Sequence, residues 1–155
     1  MSLELIANKN FPGFNIFSIL HKVRRIKLLK REIFELEYPV NCSPRVLFAR
    51  LCTPEGLGEW FADEVTAEGD VFTFYWNKVE SKAKLVALKE NKFVRFAWLD
   101  LFDEDSNFFE FRINIEEISG SVALIITDFA EADEKEDSIY LWDTQVTDLK
   151  RVLGI

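Results

Sequence analysis

Histidine, cysteine and glycine are scarce in this chain of 155 residues, at one, two and six copies. The lone His21 stands in the N-terminal stretch, outside the segments that pattern as a folded core. A Ser-His-Asp or Cys-His arrangement within that core therefore has no imidazole. Cys42 and Cys52 are ten residues apart, with no CxxC pair and no histidine beside them. That excludes a zinc set and a disulfide framework, and two reduced thiols fit a cytoplasmic location. Cys42 precedes a helix start, where a thiol pKa can fall. No base neighbours it, so it reads as a small packed residue. The glycines are scattered at turns, so no phosphate cradle exists. No run of about 18 apolar residues occurs, which excludes a spanning helix. Asp103, Asp105 and Asn107 begin a calcium-loop spacing, but Phe108 replaces the glycine and Asn114 the bidentate glutamate. They read as a solvated loop, and neither metal nor cofactor is expected.

What is abundant is apolar and aromatic. Hydrophobic residues make up 48% of the chain, with fifteen phenylalanines and four tryptophans. That composition rules out disorder, and the length fits one domain burying roughly 70% of its unfolded surface. The net charge of −8 is unevenly spread. Residues 1–31 carry seven basic side chains against Glu4 alone, a charge of +6. Residues 32–155 carry twelve against twenty-six acids, a charge of −14. An acidic body repels phosphate backbones, so no nucleic-acid partner is expected. Phe11 to Leu20 (FPGFNIFSIL) precedes the basic HKVRRIKLLKR, the reverse of a secretory signal, and none is read. Residues 1–31 are expected to be a peripheral or partly disordered extension. They could lie against the acidic body, or touch an anionic membrane or partner.

From Glu32 the pattern is regular. Glu32 to Tyr38 alternates as a half-buried strand, closed by Pro39 and Asn41. Ser43-Pro44 opens a helix, because serine caps an orphan amide and proline at the first position loses no hydrogen bond. Leu47, Phe48 and Leu51 share one face of it. Thr53-Pro54 repeats the device, with Leu57, Trp60 and Phe61 as the buried side of a second short helix that Gly56 and Gly58 weaken. Strands are expected at 64–66, 71–76, 81–88, 93–99, 108–115 and 122–129, joined by short turns as an antiparallel meander. Ile139, Trp142, Val146, Leu149 and Leu153 form the apolar stripe of one long terminal helix. Glu134, Glu136 and Asp137 stand at its positive end, Lys150 and Arg151 at its negative end.

The aromatic faces are the main candidate site. Trp60, Phe72, Phe74, Trp76, Phe96, Trp98, Phe109, Phe111 and Trp142 would converge between sheet and terminal helix. They form either a packed core or the lining of a small-molecule site, since both are rich in rings. Period two carries Asp128 inward with Leu124 and Ile126. There it would be a polar anchor, or a general acid or base. A lone buried acid is costly, which favours a solvated strand end or a pair with a cation such as Arg112. Tyr75 and Tyr140 are weaker candidates, Tyr75 facing the other side of its strand. The acidic run 131–137 reads as a solvated loop and helix start.

The succession of strand, Ser-Pro helix, Thr53-Pro54-Glu55 leading to Trp60, FVRFAW at 93–98, VALIITDF at 122–129 and a long last helix resembles the START-like, or helix-grip, superfamily. It is most similar to homologues of the Hsp90 ATPase activator and to small bacterial START-like proteins. The resemblance covers residues 32–153 and implies an α+β fold. A curved antiparallel sheet of about six to seven strands would wrap the C-terminal helix, with two short helices after the first strand. It further implies non-enzymatic binding of a small hydrophobic molecule in a cavity between sheet and helix. The alternatives are a protein-interaction module of the chaperone-activator type or a homodimer. A cyclase- or hydrolase-like enzyme with Asp128 as base comes last, because histidine is absent from the domain. Fold alone does not choose among these.

Overall fold

Seven strands and three helices form from residues 31–99 and 107–155, the part of the chain that the computed structural model describes. Residues 1–30 of the basic extension, with His21, and Asp103 and Asp105 lie outside the described residues. The elements run β1 (Glu32–Pro39), α1 (Pro44–Cys52), α2 (Pro54–Gly58), β2 (Glu64–Glu68), β3 (Val71–Trp76), β4 (Val79–Lys89), β5 (Phe93–Trp98), β6 (Phe108–Ile115), β7 (Val122–Ala130) and α3 (Lys135–Leu153). All strands join one antiparallel sheet in the order β1-β7-β6-β5-β4-β3-β2. The first strand pairs with the last, so only β1 leaves the meander order.

Local chemistry sets the boundaries. Ser43 Oγ accepts from the Val46 amide at 3.3 Å, and Thr53 Oγ1 from the Gly56 amide at 3.0 Å. Both expected caps are therefore made. Gly56 has a positive role that propensity hides: a Cβ there would sit 2.1 Å from the Ala49 carbonyl oxygen. α2 can cross the end of α1 so closely only without a side chain. Asn77 and Lys78, at φ of 47° and 66°, make the left-handed two-residue turn between β3 and β4. In β4 the register slips between Leu85 and Ala87. A bulge of this kind bends a strand and deepens the curvature of its sheet. Gly154 closes α3 in the left-handed conformation, its amide donating to Arg151 O.

The described helices cover the concave face of the sheet. Period two places Phe72, Phe74, Trp76, Val94, Phe96, Trp98, Phe109, Phe111, Leu124 and Ile126 on that concave face, all buried. α3 buries Trp142, Val146 and Leu149 against it, each apolar side chain contributing about 1.5–3 kcal/mol. The buried stripe also includes Leu141, Ser138 and Gln145, whereas Ile139 and Leu153 are its half-buried margins. Tyr38 Oη donates to Asp143 Oδ1 at 2.6 Å, tying edge strand β1 to α3. Burial and the neighbouring carboxylate push the Tyr38 hydroxyl pKa well above its usual value.

The convex face carries charge. Glu110 is 4% exposed and lies between two half-exposed arginines. Arg95 Nη2 reaches its Oε2 at 2.8 Å and Arg112 Nη2 its Oε1 at 3.0 Å. Each guanidinium also covers a ring: Arg95 stands 4.2 Å over Phe108, and Arg112 4.7 Å over Phe93.

Candidate functional site

The nine aromatic residues singled out from the sequence meet in one cluster, with Phe61 at its centre. The Phe61 ring lies 5.2 Å from Phe74, 5.4 Å from Phe109, 5.5 Å from Trp60 and Trp76, and 5.9 Å from Trp142, centroid to centroid. Phe72 meets Phe96 at 5.1 Å, Phe96 meets Phe109 at 5.2 Å and Trp98 meets Phe109 at 4.9 Å. Phe111 touches both Trp60 and Trp142. These spacings are those of rings in direct contact. The hub itself was absent from the candidate set. Its position next to Trp60, four residues after Leu57, was the signal that could have found it.

The polar handles of the cluster are engaged within the protein. Trp60 Nε1 donates to Arg50 O at 2.8 Å and Trp76 Nε1 to Phe61 O at 2.9 Å. Asp128 points inward, as period two requires, and is 5% exposed. Its Oδ2 accepts from Trp142 Nε1 at 3.0 Å and its Oδ1 from the Phe129 amide at 2.7 Å. The expectation of a solvated carboxylate, or of a pair with Arg112, is therefore corrected. Arg112 belongs to the opposite face, where Glu110 holds it. An indole N–H and a backbone amide donate to its two oxygens, which is how a carboxylate is tolerated inside.

A groove of about 460 Å3 opens beside this cluster, between the α2–β2 connection and the C-terminal half of α3. Gly58, Glu59, Trp60, Ala62 and Asp63 form one wall, and Gln145, Asp148, Arg151 and Val152 the other. Of the ten candidate residues, Trp60 lines this groove; the other nine stand behind it. Gln145 is buried, its Nε2 donating to Phe61 O at 3.3 Å. It falls three residues after Trp142 and four before Leu149, so helical spacing alone could have marked it. Two ion pairs frame the groove, Arg50 Nε to Glu59 Oε2 at 2.7 Å and Arg151 Nη1 to Asp148 Oδ1 at 2.9 Å.

Other candidates fall elsewhere. Tyr140 is exposed, and Tyr75 lies on the convex side of β3. Burial pushes the thiols of Cys42 and Cys52 up from their ordinary value, outweighing any helix-terminus effect at Cys42. The run 131–137 is not simply solvated: Glu131 and Glu134 are buried, and their carboxylates lie with that of exposed Asp133 within 4.8 Å of one another. Asn107 closes the β5–β6 connection, its carbonyl accepting from the Trp98 amide at 2.7 Å. No described helix is long and apolar enough to cross a membrane.

Residues 28–155 match the family model of a START-like superfamily domain. A protein of Bacteroides fragilis with a known solution structure is 40% identical, at a TM-score of 0.60, over 82% of this chain and 94% of that one. The Aha1 dimer from Colwellia psychrerythraea shares the fold at 19% identity and a TM-score of 0.64, covering 80% of this chain and 97% of that one. A Mesorhizobium loti protein shares it at 16% identity and a TM-score of 0.62, covering 79% and 97%. No curated protein matches the sequence.

Proposed function

The chain belongs to the START-like superfamily, and on that premise we propose that it binds a small, largely apolar molecule without transforming it. The observation that carries this reading is the groove beside Trp60. Its volume of about 460 Å3 lies within the range of small-molecule sites. Trp60, Ala62 and Val152 offer apolar contact, while Gln145, Asp63 and Arg151 offer polar groups for orientation. Trp60 is the ring that an apolar body would touch, and the buried ring cluster holds Trp60 in place from behind. Phe72, Phe74, Trp76, Phe96, Trp98, Phe109, Phe111 and Trp142 supply its rings, and Asp128 braces Trp142.

Native mass spectrometry of freshly purified protein tests this directly. A stoichiometric small-molecule adduct, lost on Trp60→Ala with the fold retained by circular dichroism, supports it. A ligand-free spectrum, together with no movement of the Trp60 indole signal on titrating a panel of apolar compounds, overturns it.

A second reading is a protein-interaction module, alone or as a homodimer. The contact of ring with ring through the interior favours it. Sedimentation of the purified chain at increasing concentration addresses the homodimer. A cyclase- or hydrolase-like activity has least support, because both Asp128 oxygens already accept N–H groups.

A further inference from the structure

We propose that the groove selects molecules bearing a positive charge beside the apolar body, an organic ammonium in the simplest case; this rests on the groove being the binding site. Three carboxylates line it, those of Glu59, Asp63 and Asp148, against one guanidinium, that of Arg151. The charges do not cancel evenly. Glu59 is matched by Arg50 and Asp148 by Arg151. Asp63 faces no cation among the described residues; its Oδ2 accepts from the Asn77 amide at 2.8 Å. That bond holds the carboxylate in place at the left-handed β3–β4 turn without neutralising it.

Apolar surface adjoins this fixed negative charge. Ala62 precedes Asp63, and Trp60 and Val152 complete the walls. An amphipathic cation can lay its chain on those three side chains and its ammonium against Asp63. An anion of the same shape meets the Asp63 charge directly, and the guanidinium of Arg151 is already partly neutralised by Asp148. The net charge of −8 on the full chain adds long-range attraction for cations and repulsion for anions. A bare metal ion is a poorer occupant, because one unmatched carboxylate beside apolar walls offers too few oxygens.

Three probes of equal chain length separate the outcomes: n-octylamine, 1-octanol and octanoate, titrated at pH 7 and low salt into the full chain. The readout is the 15N–1H shift of the Trp60 indole and of the Ala62 and Val152 amides. Octylammonium should bind about five-fold more tightly than octanol, with octanoate weakest, and salt should narrow the gap. Asp63→Asn keeps an acceptor for the Asn77 amide while removing the charge. In that variant the advantage of octylammonium should fall to within about two-fold, with Tm unchanged. Equal binding of all three probes, or a preference that survives Asp63→Asn, overturns the charge selection and leaves the groove reading standing. Failure of every probe to move the groove signals overturns both.

Discussion

The two faces of the sheet bury aromatic rings by different means. On the concave side, rings pack on rings beneath α3, and the Asp128 carboxylate there accepts an indole N–H and a backbone amide. On the convex side, Phe93 and Phe108 have guanidinium groups for cover, and Glu110 is held between those two groups. The contrast follows from what lies above each face. The described helices roof the concave face, so charge there would lose its hydration and rings cover each other. On the convex face long arginine stems shield the rings while their heads stay partly in water. Ligand chemistry is accordingly expected where the first regime meets solvent, at the groove beside Trp60.

Perturbing each face in turn would break or sharpen this contrast. Trp142→Ala should have the largest effect, about 4–5 kcal/mol in urea denaturation, because it removes a core ring and the donor to Asp128 together. Trp142→Phe keeps most of the ring and should lose about 1–3 kcal/mol, which isolates the hydrogen bond. A loss below 1 kcal/mol for the alanine variant would mean that α3 does not roof the rings. Gly56→Ala drives a methyl into the α1 backbone and should cost about 3 kcal/mol, read from the thermal midpoint.

On the convex face Glu110→Gln should cost less, about 1–2 kcal/mol. The carboxylate is buried, but both arginines are half exposed and can turn to water, which softens the penalty of an unmatched charge. A cost equal to that of Trp142→Ala would erase the distinction between the faces. The smallest effect is expected at the seam. Tyr38 has its pKa raised in the folded state by burial first and by Asp143 second. Its contribution is therefore fully present below the unfolded value of about 10 and is lost as pH rises through the folded value. In an ultraviolet titration Tyr38 should ionise later than free tyrosine, and Tyr38→Phe should abolish that late component.

Much of this was legible in the chain itself. The Ser43-Pro44 and Thr53-Pro54 starts, the alternation along β3, β5 and β6, and the Trp142–Val146–Leu149 stripe each act through near neighbours, so local spacing reveals them. Period two carried Asp128 to the inner face for the same reason, although the cost of a lone buried acid argued for a solvated strand end. Its partner was not legible, because Trp142 comes from another element fourteen residues later, whereas Arg112 is nearer in pattern but on the wrong face. The closeness of Gly56 to α1 and the burial of Glu131 and Glu134 likewise depend on how elements cross.

Composition and periodicity by themselves determined an α+β domain with one ring-rich sheet face and one long amphipathic helix, since a side chain's face follows from its position along a strand or helix. Only the tertiary structure decided that the rings fill the space between them and that an open groove lies at the margin. It also decided that, among the described residues, Asp63 is the groove carboxylate that faces no cation. Packing and charge pairing are sums over residues distant in the chain, and no local pattern encodes them.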